Sequence, residues 1–308
     1  MIVHLRHSDI DRRKWDECVA HSRCGLVYVR SWYLDVVCPG WEALVDGDYV
    51  SVMPLTWRKR FGIRYLCQPF FVQKTGVFSR NELTKSQMEA FVGAAKDVFS
   101  FAEINIVDER DFLADLPRHR NYELSLEADY SGIVANYHEN TRRNLSRAGK
   151  NGLVVSDVSD IDKVIALFDT DRRPSLPSFD VRSYDVLRAL SGKALDRGEA
   201  FIKGVSFDGS DDLLAAAFFV NDGRRVTFLF SGNSAEGKRV QAMTLLIDTV
   251  IREYSGSKMI LDFEGSDDDG LARFYAGFGS AQSWYKSLRF NNMSWFSNFV
   301  LSVWKKFR

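Results

Sequence analysis

The sequence predicts an α/β protein made of two successive mixed domains. Strand-like and helix-like periodicities alternate along the chain, in a similar order in both halves. A polar, basic connector with one proline, Leu116 to Asn121, separates those halves. The 308 residues suffice for two ordinary domains, and 45% hydrophobic with 27% charged residues is a globular balance. The expected domains are 1–118 and 119–292, with a tail at 293–308.

In the first half, Ile2 to Leu5 alternates like a strand. Asp9 or Asp11 is placed to cap a helix running to Ala20, and Ser31 to cap one ending at Val37 before Pro39 and Gly40. Strands follow at Trp41 to Val45, Tyr49 to Trp57 and Arg64 to Cys67, the first two joined by an Asp46-Gly47-Asp48 turn. Thr84 precedes a helix over Lys85 to Phe99, with Met88, Phe91, Val92, Ala95 and Phe99 on one face. Ala102 to Val107 reads as a strand.

The second half opens with a strand, Tyr122 to Leu126, and helices at Ser131 to Tyr137 and His138 to Lys150, closed by Asn151-Gly152. Next come a strand at Leu153 to Asp157, a helix at Ile161 to Thr170, a loop at Arg172 to Phe179 and a helix from Ser183 to Asp196. Strands Ala200 to Phe207, Leu213 to Val220 and Arg225 to Phe230 follow, the last two joined by Asn221-Asp222-Gly223. Val240 to Tyr254 has the strongest helical period in the chain. A strand at Lys258 to Phe263, a helix at Gly270 to Phe278 and a strand at Gln282 to Phe290 complete the pattern.

Lys plus Arg and Asp plus Glu each number 41, which argues against a globally cationic nucleic-acid binder. The four cysteines, Cys18, Cys24, Cys38 and Cys67, form no Cys-x-x-Cys, and the N-terminus shows no apolar signal segment. A reducing, cytoplasmic setting with free thiols is expected. His21 and Cys24 have no second pair at ligand spacing, so no metal site is expected, and no apolar run is long enough to span a membrane.

Three segments carry chemistry. The loop Gly232 to Arg239 leads into the strongest helix, whose first N–H groups and dipole suit an anion, with Lys238 and Arg239 adding charge. An ordinary strand-to-helix turn is the plainer reading. In Met259 to Glu264, alternation puts Leu261 and Phe263 on one face, Asp262 and Glu264 on the other. Either acid could serve as a general base at a strand end, or merely lead the next helix. Tyr275 borders an apolar helical stripe of Leu271, Phe274 and Phe278, as a core tyrosine or as a neutral proton donor. Arg143, Arg147 and Lys150 line one helix face, suited to phosphates or to plain solvation.

Residues Leu213 to Phe290 resemble the acyl-carrier half of the GNAT acetyltransferase superfamily: hairpin, loop, helix, strand, then a helix ending Phe274-Tyr275-Ala276-Gly277-Phe278. The run Arg142-Arg143-Asn144-Leu145-Ser146-Arg147-Ala148, then Gly152-Leu153, is similar to the Fem-like branch, which doubles the fold and includes aminoacyl-tRNA-dependent peptidoglycan transferases. Asp262-Phe263-Glu264-Gly265-Ser266 resembles its bacterial members. The resemblance implies two tandem GNAT-like acyl-CoA N-acyltransferase domains on a mixed sheet. It implies acyl-CoA or aminoacyl-tRNA as co-substrate, held by Ser234, Gly237, Lys238, Arg239 and Val240. Glu264 or Asp262 would take the amine proton and Tyr275 would protonate the leaving group. Arg142, Arg143 and Arg147 would contact acidic parts of carrier or acceptor.

The implied acceptor is an amine, on a small molecule or a lipid-linked envelope precursor such as a peptidoglycan or polysaccharide unit. A rival reading is a non-catalytic binding protein that keeps the fold, because the loop lacks a second small residue after Gly237. The tail carries a helical stripe of Trp295, Phe296, Phe299, Val300, Val303 and Trp304 with a basic end, suited to the inner face of an anionic membrane or to its own domain.

Overall fold

The computed structural model describes residues 1–171, 181–265 and 267–293. The loop expected at Arg172 to Phe179 and the tail beyond Met293 lie outside them. The chain divides into two compact units, one of Met1–Arg118 plus the chain from Trp284, the other His119–Ser283.

The first unit contains β1 (Ile2–Leu5), α1 (Arg12–His21), α2 (Ser31–Val37), β2 (Glu42–Asp46), β3 (Ser51–Leu55), β4 (Trp57–Arg60), β5 (Ile63–Cys67), β6 (Phe78–Ser79), α3 (Lys85–Val98) and β7 (Phe101–Ile106). Antiparallel pairing orders one sheet β1-β2-β3-β6. Asp11 caps α1 by accepting from the Lys14 N–H, and Thr84 with Gln87 forms a reciprocal capping box on α3. Ser31 is not the cap of α2. It is the first helical residue, and its hydroxyl donates to Asp16 at 2.6 Å.

The strand expected over Tyr49 to Trp57 is two strands. Thr56 donates its hydroxyl to the Cys67 carbonyl, so β3 ends in one sheet while β4 pairs antiparallel with β5 in another. Leu44, Met53, Leu66, Phe91, Phe99 and Ile104 fill the core of this unit. All four cysteines are free, and burial pushes the Cys67 thiol up to about 12.

The second unit contains β8 (Arg118–Ser125), α4 (Tyr130–Ala135), α5 (Glu139–Lys150), β9 (Leu153–Asp157), α6 (Ile161–Asp171), α7 (Val181–Asp196), β10 (Ala200–Phe207), β11 (Ala215–Asn221), β12 (Arg225–Asn233), α8 (Ala235–Arg239), α9 (Ala242–Tyr254), β13 (Ile260–Asp262) and α10 (Asp269–Ala276). The last strand, β14 (Ala281–Asn291), counts with the first unit from Trp284 and pairs there with β7. The stretch read as a connector already contains the start of β8. The sheet order is β8-β13-β12-β11-β10-β9. Only the β12–β13 pair is parallel; the others named in this unit run antiparallel.

The α9 face of this sheet is the main core. Val226, Phe228, Leu261 and Phe263 from the strands meet Leu246, Ile247, Val250 and Ile251 of α9 and Tyr275 and Phe278 around α10. Phe263 is 1% exposed and stacks on Tyr275 at 4.9 Å and Phe278 at 6.0 Å between ring centroids. On the other face, Phe230 packs against Phe168 of α6. No described helix is long and apolar enough to cross a membrane. Phe263→Ala should cost about 3–5 kcal/mol, read as a lowered denaturant midpoint, because it empties the centre of this stack.

Candidate functional site

The site begins where two parallel strands part. β12 and β13 pair only over Arg225–Thr227 and Ile260–Asp262; β13 then stops while β12 runs on to Asn233. A bulge near Leu229 reshapes that free part. Phe219 pairs with Phe228 but Phe218 with Phe230, so Leu229 is left unopposed. Beyond the bulge the alternation is reset, and Ser231 and Asn233 join Phe228 on the α9 side.

A cavity of about 300 Å³ fills this space. Phe228, Ser231 and Asn233 line it from β12, Lys238 from α8, Gln241, Met243 and Thr244 from the α9 start, and Leu271, Phe274 and Tyr275 from α10. The Asn233 Oδ1 is buried with no hydrogen-bond partner. Such an acceptor is costly unless something donates to it. A second cavity of about 390 Å³ shares Thr244 and Phe274 and adds His138, Asn140, Thr141 and Asn144 around α5, with Arg273 of α10.

The loop expected before the long helix is itself helical. Ser234 caps α8 by accepting from the Gly237 N–H at 2.9 Å. A Cβ on Gly237 would collide with the Leu214 carbonyl and with Asn233, so glycine is required there. The Lys238 N–H bonds to the Ser234 carbonyl and the Val240 N–H to that of Glu236. Those groups are therefore engaged within the turn. Val240 ends α8 and is 1% exposed, in the core rather than at the start of the long helix. Arg239 pairs with Glu236.

Gln241 then takes a left-handed backbone, φ +66°, and α9 starts at Ala242 without a side-chain cap. The N–H groups free of intrahelical acceptors are those of Ala242, Met243 and Thr244. The helix thus starts two residues beyond the Val240 expected from the sequence. Ala242 is fully buried.

Of the expected catalytic residues, only Tyr275 lines the cavity. Asp262 lies on the other side of β13 from Phe263 and is 1% exposed. It accepts from Arg225 at 3.0 Å and from Asn121 at 3.1 Å, and Arg225 also bonds Glu123 at 2.7 Å. Asp262 is thus committed to a buried ion pair across β8, β13 and β12. Glu264 is half-buried, with φ +58°, and its N–H donates to Asp262. It stands at the end of β13 but outside the cavity lining.

Arg142, Arg143 and Arg147 are exposed and do not line either cavity. Arg142 donates to the Ala135 carbonyl at 2.7 Å, closing the end of α4, and Arg143 stands 4.0 Å from Glu139. The α5 face nearest the site carries Asn140, Thr141 and Asn144 instead. Asn144 is visible in the arginine-rich run, but its neighbours' charge draws attention away from it.

Two anchors hold the surrounding helices. Asp248 of α9, 4% exposed, accepts from the Tyr130 hydroxyl at 2.9 Å and the Tyr137 hydroxyl at 3.0 Å. Burial raises its carboxyl, while the two tyrosines pull it back. Before α10, Asp268 is the cap and Asp267 bonds His119 at 2.6 Å. Burial opposes the Asp267 charge, yet His119 and Arg120 hold its carboxyl below the ordinary range. Among the described residues, no group of His, Cys, Asp or Glu is placed to hold a metal ion.

This arrangement is that of a GNAT-type acyltransferase fold. Residues 135–280 match the acetyltransferase (GNAT) domain family, a little under half of the chain. The structure of FemX is similar at TM-score 0.64 and 14% identity, covering 94% of this chain and 97% of that one. A tandem GNAT protein from the clavulanic acid biosynthesis pathway matches at TM-score 0.54 and 12% identity, over 94% and 98%. A conserved protein of unknown function from Bacteroides thetaiotaomicron matches at 0.57 and 11%, over 94% and 100%. No curated protein matches the sequence. The chain therefore has the two-domain GNAT fold, similar to the fold of FemX.

Asp262→Asn should cost about 3 kcal/mol by chemical denaturation, because it leaves Arg225 short of a buried partner. A depressed carboxyl contributes stability above the ordinary carboxylate range and loses it as pH falls through its own value. Asp267→Asn should therefore flatten the acid limb of the stability–pH profile while leaving its neutral-to-basic shape unchanged.

Proposed function

We propose that this chain is an acyltransferase or aminoacyltransferase whose second unit, His119–Ser283, binds the donor where β12 and β13 part. The observation that carries this reading is the shared cavity. It brings an uncapped helix start, a lysine, the orphaned Asn233 acceptor and Tyr275 to one wall system.

The anionic carrier, acyl-CoA or aminoacyl-tRNA, lies against the N–H groups of Ala242 to Thr244 with Lys238 beside them. Ser234 and Gly237 shape the turn that presents Lys238, and Val240 pins it to the core. The acyl chain runs along the free part of β12, past Phe228, and an amide or amine of the donor donates to Asn233. An acceptor amine attacks the thioester or ester carbonyl. The tetrahedral intermediate collapses, the C–S or C–O bond breaks, and Tyr275 gives its proton to the departing thiolate or alkoxide. Glu264 takes the amine proton, since Asp262 is engaged by Arg225 and Asn121. The acceptor fits the adjoining cavity, with Asn144 and Arg273 as its polar contacts. By resemblance to the Fem-like branch it is an amine on a cell-envelope precursor, handled in the cytoplasm. Arg142, Arg143 and Arg147, exposed on α5, suit the outer phosphates of a large carrier such as tRNA.

The rival reading, a non-catalytic binding protein, differs in one respect: it binds donor without turnover. Purified protein should transfer label from acyl-CoA or aminoacyl-tRNA to an amine acceptor. Tyr275→Phe should lower kcat about 10²–10⁴-fold while donor Kd changes little. Donor binding with no transfer by the wild type would favour the rival, and an unaffected Tyr275→Phe would remove the proton-donor role.

A further inference from the structure

We infer that the β4–β5 hairpin of the first unit is an insertion element for an anionic lipid surface. The hairpin reads Trp57-Arg58-Lys59-Arg60-Phe61-Gly62-Ile63-Arg64. Arg60 pairs with Ile63, so Phe61 and Gly62 alone make the turn. Arg58, Lys59 and Arg60 are exposed, and Phe61 is 66% exposed. No described aromatic side chain among the exposed large hydrophobics is more open.

Two observations separate this tip from an ordinary turn. The first is backbone strain. Phe61 has φ +47° and Gly62 φ +80°, the pattern of a turn that suits Asn-Gly. A phenylalanine in the left-handed region is disfavoured, and its exposed ring gains nothing from the unit's own core. The second is charge. β4 is the edge of its sheet, and edge cations deter strand pairing. That accounts for lysine and arginine in β4 but not for a phenylalanine at the apex. Among the described residues no carboxylate lies within ion-pair distance of Arg58 or Lys59.

Arg64 behaves differently. It pairs with Glu42 at 2.6 Å and lies over Trp57 at 4.1 Å, so it stiffens the base of the hairpin. The guanidinium of Arg60 lies 5.5 Å from the Phe61 ring. An apolar apex backed by cations is the chemistry of an interfacial anchor. The ring enters the headgroup boundary while Arg58, Lys59 and Arg60 meet anionic headgroups. A nucleic acid would also satisfy the cations. It gives no reason for a single ring projecting from a turn rather than lying on a flat face where bases stack.

The test is cosedimentation of the full chain with phosphatidylcholine vesicles, with and without an equal share of phosphatidylglycerol. Wild-type protein should partition onto the mixed vesicles only, and less at high salt. Phe61→Asn suits the turn's backbone, so the hairpin is retained, yet partitioning should fall about tenfold. Lys59→Ala should lower it about fivefold, the loss expected for one interfacial cation. Far-ultraviolet circular dichroism and thermal midpoints verify that both variants are folded. Equal partitioning of wild type, Phe61→Asn and Lys59→Ala overturns the proposal and leaves any membrane contact to another part of the chain. Failure of the wild type to prefer anionic vesicles also overturns it, as does hairpin-dependent binding to RNA alone.

Discussion

The second unit depends on the parting of β12 from β13. Parallel strands share hydrogen bonds only while both continue, and β13 ends at Asp262 after three pairs. The free part of β12 would expose its edge, but the bulge near Leu229 turns it and resets its alternation. Phe230 then faces α6, while Ser231 and Asn233 face α9. One extra residue in a strand thus decides which side chains line the cavity.

Two buried devices fix the edges of that opening. Across the sheet, Arg225 joins Glu123 and Asp262, tying β8, β13 and β12 together just before the strands diverge. On the opposite face, Phe263 stacks between Tyr275 and Phe278, so the same short strand seats α10. Tyr275 is therefore packed on one side and open on another: its ring is held by Phe263 while its side chain contributes to the cavity wall. The helix start at Ala242 is set by the left-handed Gln241, which follows the end of α8 at Val240 and re-aims the chain.

Locally encoded features were legible in the sequence. The start of α3 after Thr84, the Asn221-Asp222-Gly223 turn and the amphipathic run of α9 are all specified by residues a few positions apart. The break between β3 and β4 was not, because Thr56 is redirected by Cys67, and neither was the short pairing of β6 with β3. Within the site, Tyr275, Lys238 and Gly237 could be named from pattern and resemblance. The bulge could not, since Phe228-Leu229-Phe230 is uniformly apolar and hides the slip. Asp262 reads as a reactive acid until its partner is seen, and Arg225 lies 37 residues away. The helix starts two residues later than the expected Val240, because nothing in Val240-Gln241-Ala242 advertises a left-handed glutamine.

The central claim is that a donor occupies the space between the free part of β12 and α10. A crystal structure of the full chain with coenzyme A or a non-hydrolysable aminoacyl-ester analogue tests it most directly. The expected result is density with phosphates at the N–H groups of Ala242 to Thr244 and the reactive end between Phe228 and Tyr275. Ligand density elsewhere, with that space empty or filled by side chains, would contradict it.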